Sequence, residues 1–330
     1  MLEIDGSYGE GGGQILRTTI ALSAVTGRSV CIKNIRAKRP KPGLAAQHLE
    51  SVRCVALLTG AKVEGLKLGS TELTFSPKEV KSGEYDIDIG TAGSTTLLLQ
   101  CLMPAAMHAK DVVSLHIRGG TDVAWSPPID HLRYVMLPTI AKMGYDAHID
   151  LIRRGYYPRG GGLVKATIHP SDLSGIVLKR EKIEIRGISH SSRLPEHVAI
   201  RQAMSAREVL AEEGYDAQIS TECSQYESTG SGITLWCPGT GGSSLGERGK
   251  PAEEVGREAA RALLEELRSG ASTDVHLADQ LIPYMALADG KCSLTTRLLT
   301  SHARTNIWVV ERFLDVQFEV EENELVWIRK

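Results

Sequence analysis

Residues 2–27 read LEIDGSYGEGGGQILRTTIALSAVTG, a short extended segment, a glycine loop and a helix in succession. Leu2–Asp5 alternates like a strand, Gly9, Gly11, Gly12 and Gly13 crowd the loop, and Leu16, Ile20 and Ala24 recur every four residues until Gly27 stops the helix. Ser29–Ile35 continues as a strand. A helix is expected from Leu44 to Gly60, with Ala45, Leu49, Val52 and Ala56 on one face, and two short strands close the unit near Phe75. The same plan restarts at residues 85–106, YDIDIGTAGSTTLLLQCLMPAA, where an alternating strand runs into Gly90–Ser94 and then an apolar helix. A strand over Val112–Arg118, a helix over Pro128–Met143 and a strand pair ending in Gly160-Gly161-Gly162 repeat the rhythm. The expectation is an α/β (α+β) fold in which a βαβαββ unit is used more than once to build a large domain.

Composition shifts near residue 180. Beyond Lys179-Arg180-Glu181-Lys182 come a strand, a helix over Pro195–Glu213 with Ala199, Ala203, Ala206 and Leu210 inward, and a strand pair. A Gly/Ser-rich loop over Gly239–Gly249 and a helix over Ala252–Arg268, stopped at Gly270, follow. Residues 181–275 are therefore expected to form a small inserted α/β domain, and residues 1–180 plus 276–330 the large domain. The closing stretch reads as a helix around Leu277–Ala288, a strand near Ser293, a helix over about Arg304–Leu314 and two strands.

Thirty-eight Lys+Arg against 40 Asp+Glu leave 330 residues with a net charge of −2, so any site for a polyanion must be local rather than a product of bulk basicity. Apolar runs break after a few residues, and no basic stretch followed by an apolar core opens the chain; neither a membrane span nor a secretory signal is expected. Six scattered cysteines without a C-x-x-C pair speak against structural zinc and fit a reducing, cytoplasmic setting. With 3 Phe and 4 Trp against 33 Gly, the expected framework is aliphatic packing and tight turns, without aromatic platforms for stacking bases.

Three features carry chemistry. The loop Gly9-Glu10-Gly11-Gly12-Gly13-Gln14 opens a helix, whose N–H groups and dipole suit a phosphate, with Glu10 placed to bring a divalent cation; a purely structural turn is the alternative. Gln14 stands where a dinucleotide fingerprint needs glycine, and Gly249-Lys250 is followed by Pro251, so neither that fingerprint nor a P-loop is present. Lys33, Arg36, Lys38, Arg39 and Lys41 make a local basic loop, read either as a phosphate clamp that Arg17 would join or as a solvated surface loop. Near the other end lie His276-Leu277-Ala278-Asp279-Gln280 and His302, which falls just ahead of a helix. There the helix dipole disfavours protonation and leaves the imidazole free as nucleophile or base, against the alternative of a structural histidine.

In these stretches the chain resembles the RNA 3′-terminal phosphate cyclase family nearly end to end. The resemblance is carried by Asp5-Gly6 and Gly9 to Arg17, then Ile35-Arg36-Ala37, Arg39, Lys41-Pro42-Gly43-Leu44 and Gln47-His48-Leu49. It continues through Gly93-Ser94, Leu97–Gln100, Gly119-Gly120-Thr121-Asp122, Tyr157-Pro158, Gly160-Gly161-Gly162, Leu277–Leu281, Thr305-Asn306-Ile307 and Val309–Leu314; residues 181–275 match least. The resemblance implies a large domain of repeated βαβαββ units, like the C-terminal domain of a translation initiation factor, with a smaller inserted domain. It implies ATP-dependent conversion of an RNA 3′-phosphate to a 2′,3′-cyclic phosphate through a histidine–AMP and an RNA–pp–A intermediate, releasing AMP and pyrophosphate with Mg²⁺ or Mn²⁺.

Carried over residue by residue, the resemblance makes His302 the nucleophile, Glu10 the metal-binding acid, and Arg17, Arg36 and Arg39 the clamp on the triphosphate or the RNA end. Gln47, Gln100, His276, Leu277, Ala278, Asp279 and Gln280 become ATP-binding positions. His276 departs from the tyrosine of bacterial members, and Ala303-Arg304 after the nucleophile is a second departure. The implied partners are RNA 3′-phosphate ends, with no membrane and with homo-oligomerisation left open. Two rival readings are a non-catalytic cyclase-like RNA-processing factor, against which His302 speaks, and an enolpyruvyl transferase, also built from repeated βαβαββ units.

Overall fold

Ile4 is buried while Glu3 and Asp5 are exposed, the alternation of a strand with one covered face, and Leu2–Asp5 (β1) pairs in parallel with Val30–Lys33 (β2). These observations come from a computed structural model, which describes residues 1–330. The crossover between the two strands is the helix Gly13–Thr26 (α1), whose residues from Ile15 to Ala24 are all buried. A helix apolar or small on nearly every side belongs inside, and α1 packs against Ala46–Thr59 (α2), Thr95–Ala106 (α3) and Ser301–Phe313 (α9). It stops where Gly27 adopts φ 67°, a left-handed backbone that a side chain would strain.

Lys62–Glu64 (β3) and Leu73–Ser76 (β4) complete a mixed sheet of order β1-β2-β4-β3. A second sheet repeats that order: Gly83–Asp88 (β5) and Val113–Gly119 (β6) are parallel across α3, and Ala147–Arg153 (β7) and Gly162–Ile168 (β8) add on antiparallel, giving β5-β6-β8-β7. The helix expected over Pro128–Met143 is interrupted. Ile129–His131 (α4) passes through a wide π turn, Leu132–Met136, into Leu137–Ala141 (α5), and Pro138, without an N–H to give to the turn before it, sits at the widened step.

The third sheet differs. Ile185–Ser192 (β9) lies inside, parallel to Ala217–Ser224 (β10) across the helix His197–Glu212 (α6), and Gly230–Cys237 (β11) and Thr240–Leu245 (β12) extend the other side in the order β10-β9-β11-β12. The predicted loop over Gly239–Gly249 is thus partly a strand. Its small residues allow close approach to the helix Ala252–Ser269 (α7): a Cβ on Gly242 would stand 2.4 Å from the Leu263 nitrogen. A last sheet, Ser293–Thr296 (β13) with Glu319–Glu322 (β14) and Val326–Arg329 (β15), follows the helix Val275–Leu287 (α8) and holds α9.

Two separate hydrophobic cores result. One, of 61 buried residues, draws on the first two sheets, α8, α9 and the last sheet; the other, of 15, lies between the β9–β12 sheet and helices α6 and α7. No helix is long and apolar enough to cross a membrane.

Candidate active site

The N-terminal ends of α1, α8 and α9 meet at one point. Asn306, one turn into α9, makes the join: its side-chain oxygen accepts from Thr18 Oγ1 at 2.7 Å and Gln14 Nε2 at 3.1 Å, and its Nδ2 donates to the Asp279 carbonyl at 2.7 Å. Thr300 caps α9, accepting from the Ala303 N–H at 3.0 Å and donating to Asp279 Oδ1. This cap starts the helix at Ser301, three residues earlier than expected, so His302 lies within its first turn rather than ahead of it.

His302 is held above the glycine loop by these contacts. Its Nε2 is 3.9 Å from Glu10 Oε2, and its Nδ1 is 3.8 Å from Asp279 Oδ2. Burial pushes the imidazole below its ordinary pKa; the charges of Arg17 and Arg39 push the same way and Glu10 opposes them. That shift favours the uncharged ring, which has a lone pair to offer.

The basic loop folds onto the glycine loop. Arg39 Nη2 reaches Glu10 Oε2 at 3.1 Å, Lys38 Nζ donates to the Gly9 carbonyl at 3.1 Å, and Arg36 is turned back to donate to the Gly43 carbonyl at 2.9 Å. Arg17 is buried, donates to Gln14 Oε1 at 2.8 Å, and is lowered by that burial to a pKa of about 10, still charged at neutral pH.

Two pockets share Arg17. The first runs between α1, α2 and the start of α3 and includes Gln47, Gly93 and Ser94. The second is lined by Gln14, Gln100, Gln280, Tyr284 and Asn306, and three buried polar atoms there have no protein partner: Arg17 Nε, Gln280 Oε1 and Tyr284 Oη. Leu277 and Ala278 are buried in the core beneath, whereas His276 is exposed at the start of α8, where Asp274 Oδ1 accepts from the His276 and Leu277 N–H groups at 2.9 and 2.7 Å.

His48 belongs to this site although its sequence neighbourhood assigns it no role. It is buried, and its Nδ1 accepts from the Ala45 N–H at 3.2 Å, which leaves the ring proton on Nε2. Burial, with Arg17 and Arg36, lowers its pKa to about 3. Gly13 makes room for it: a Cβ there would stand 2.1 Å from His48 Nε2.

Asp279 is the other perturbed group. Burial raises its carboxyl to about 7, and the negative charges of Asp274 and Glu10 add to the shift. A folded-state pKa above the unfolded value of 3.8 means that the native protein holds a proton the unfolded chain has lost. Stability should therefore fall as pH rises from about 4 to about 7, with a slope of about 1.4 kcal/mol per pH unit from this group. Lowered histidines such as His48 act with the opposite sign, so the effect is read as a difference: urea titrations of wild type and Asp279→Asn across that window should show the slope removed in the variant. Parallel curves would place the carboxyl at an ordinary pKa.

A divalent cation at the glycine loop would take oxygen ligands, and one carboxylate together with substrate phosphates is the usual protein share. Glu10 offers that carboxylate, exposed and hydrogen-bonded by the movable Arg39 side chain, with His302 Nε2 3.9 Å away. The other convergence of metal-type donors, Asp122, Asp130 and His190, is already neutralised by protein. Arg154 Nη2 lies 2.7 Å from Asp130 Oδ2 and 2.9 Å from Glu222 Oε2, and its Nη1 lies 3.3 Å from Asp122 Oδ2.

Comparison with known proteins places the chain among close relatives. A family model described as RNA 3′-terminal phosphate cyclase matches residues 8–320. Proteins named RNA 3′-terminal phosphate cyclase from Methanosarcina mazei and Methanococcoides burtonii are each 55% identical, covering 98% and 99% of this chain and the same shares of their own lengths. One from Archaeoglobus fulgidus is 50% identical over 99% of both chains. A solved EPSP synthase from Acinetobacter baumannii covers 62% of this chain and 53% of its own at 12% identity, with a TM-score of 0.26, too low to support the enolpyruvyl transferase reading. The chain belongs to the RNA 3′-terminal phosphate cyclase family.

Proposed function

We propose that the protein uses ATP to convert RNA 3′-terminal phosphates into 2′,3′-cyclic phosphates, with His302 as the covalent nucleophile. The observation that carries this reading is the His302 imidazole held 3.9 Å from Glu10 above the loop that opens α1. An RNA 3′-phosphate is a poor electrophile for its neighbouring 2′-OH because phosphorus bears no good leaving group, so activation must come first.

His302 Nε2 attacks the α-phosphorus of ATP and expels pyrophosphate, forming a phosphoramidate. The positive charge that develops on the ring is met at Nδ1 by the ionised form of Asp279, 3.8 Å away, whose pKa of about 7 leaves that form about half populated at neutral pH. An oxygen of the RNA 3′-phosphate then attacks the same phosphorus and returns the electron pair to Nε2, giving RNA–pp–A. The ribose holds its 2′-OH beside the activated phosphorus, an intramolecular arrangement with an effective molarity on the order of 10⁵ M or more. Ring closure expels AMP. Arg17 and Arg39 supply charge to the phosphates, Gln47 sits at the pocket between α1, α2 and α3, and Gln100, Gln280 and the unpartnered Tyr284 hydroxyl line the pocket that we assign to the nucleotide. Mg²⁺ or Mn²⁺ held by Glu10 would neutralise the departing pyrophosphate.

The same reading places residues 1–180 and 276–330 in one large domain of repeated βαβαββ units and residues 181–275 in a small insertion, supported by the two cores and by the matching strand orders of the first two sheets. Six unpaired cysteines suit a cytoplasmic location.

The direct test follows a labelled 3′-phosphate on RNA, which should become resistant to phosphatase only when ATP and a divalent metal are both present. Glu10→Ala should cut self-labelling from α-labelled ATP by about 100-fold. It should change unfolding stability by less than about 1 kcal/mol, because Glu10 and Arg39 form an exposed pair. Comparable losses of labelling and stability would reduce the loop to a structural turn.

A further inference from the structure

Three loops converge at the end of the second sheet where β5 and β6 run out. Gly90–Ser94 leads into α3, residues 120–128 follow β6, and residues 154–161 join β7 to β8. Their bases are tied together: Thr121 N and Asp122 N donate to the Gly155 carbonyl at 2.8 and 3.2 Å, and Thr96 Oγ1 donates to the Pro127 carbonyl at 2.8 Å. Gly160 packs so closely that a Cβ there would lie 2.7 Å from the Thr91 carbonyl oxygen. The loop tips are thereby rooted beside Gly93 and Ser94, which line the same pocket as Arg17 and Gln47.

Two of these tips carry aromatic rings into water. Trp125 is 99% exposed and Tyr157 77% exposed. Trp125 also sits at φ 66°, a left-handed backbone unfavourable for a bulky side chain, and no burial compensates for it. Arg159 is exposed two residues beyond Tyr157. A strained backbone that holds out a large ring with nothing packed on it is a feature that folding alone does not favour. Exposed aromatic faces with a guanidinium close in sequence are the chemistry that stacks successive bases without reading them. Chain-wide scarcity of Phe and Trp conceals such a platform, because stacking depends on where a few rings sit.

Resting on the cyclase reading, we propose that Trp125 and Tyr157, with Arg159, form a stacking platform for the RNA nucleotides just upstream of the 3′ end. The terminal phosphate would lie in the adjoining pocket lined by Arg17 and Gln47. The platform contributes affinity for strand length, and it takes no part in the chemistry at the terminal phosphate.

The test compares a nucleoside 3′-phosphate with a ten-nucleotide RNA 3′-phosphate. Trp125→Ala and Tyr157→Ala should each raise KM for the ten-mer about tenfold, leave KM for the nucleoside within about twofold, and leave the unfolding midpoint in place. Trp125→Phe should restore most of the loss. Without ATP, the ten-mer should quench a fluorescence component present in wild type and missing from Trp125→Phe. That readout survives even if the wild type fails to cyclise RNA, and so separates the platform from the catalytic reading. An unchanged KM for the ten-mer, or equal losses on both substrates, overturns the proposal. So does a change in sedimentation of the free protein with RNA affinity intact, which would assign the rings to a contact between copies.

Discussion

His302→Ala is expected to lower cyclisation of RNA 3′-phosphate ends on the order of 10⁴-fold or more, the scale of losing a covalent nucleophile. The protein should remain folded. The ring is half exposed and its nearest carboxylates stand 3.8 and 3.9 Å away, so its removal breaks no close hydrogen bond and should change stability by about 0.5 kcal/mol or less. Separating these two readouts matters, because a histidine retained for packing would show the reverse pattern. His276 is the internal control, since it is exposed at the start of α8 and keeps its imidazole in the variant. Turnover that persists in His302→Ala and disappears in His276→Ala would move the nucleophile to α8.

Arg154→Met should be the most destabilising of these substitutions, by about 3–5 kcal/mol. Its guanidinium is 2% exposed and faces two carboxylates, Asp122 and Asp130, that are fully buried. Glu222 on β10 and, through Asp122, His190 on β9 complete a network that ties the sheet β5–β8 to the sheet β9–β12; Tyr156 adds a 2.7 Å hydroxyl contact to His190 Nδ1. Removing the cation leaves the carboxylates uncompensated where water cannot reach them. The cost lies in that stranded charge rather than in lost attraction, so neutralising the acids together with it should be milder. In urea unfolding at neutral pH, the triple variant Asp122→Asn, Asp130→Asn, Arg154→Met should be more stable than Arg154→Met alone. A single variant that loses less than about 1 kcal/mol would mean that the carboxylates are already neutral or hydrated.

Local periodicity made the helices legible. Leu16, Ile20 and Ala24 mark α1, and Val255, Ala259, Leu263 and Leu267 mark α7, because each pattern lies on a face that is buried. The glycine loop, the basic loop and His302 stood out as chemistry for the same reason: each is concentrated in a few neighbouring residues. What escaped the sequence depends on contacts between distant segments. α9 begins ahead of the start expected near Arg304 because Ser301 and His302 carry no apolar signal and the helix is set there by the Thr300 cap. β12 was hidden by small residues that pack against α7. Nothing near His48 signals that it fills the space beside Gly13, and nothing near Arg154 signals that Asp122, from the loop after β6, and Asp130, from α4, surround it.

On the proposed mechanism, the imidazole of α9 captures the adenylate over the glycine loop of α1. The most direct test is to incubate the protein with ATP and Mg²⁺ or Mn²⁺ in the absence of RNA, digest it, and locate the added AMP by tandem mass spectrometry at neutral to alkaline pH. The expected result is one acid-labile, alkali-stable AMP on the peptide containing His302, discharged when RNA bearing a 3′-phosphate is added. AMP found on a lysine or on His276, or no covalent nucleotide while cyclisation proceeds, would contradict it.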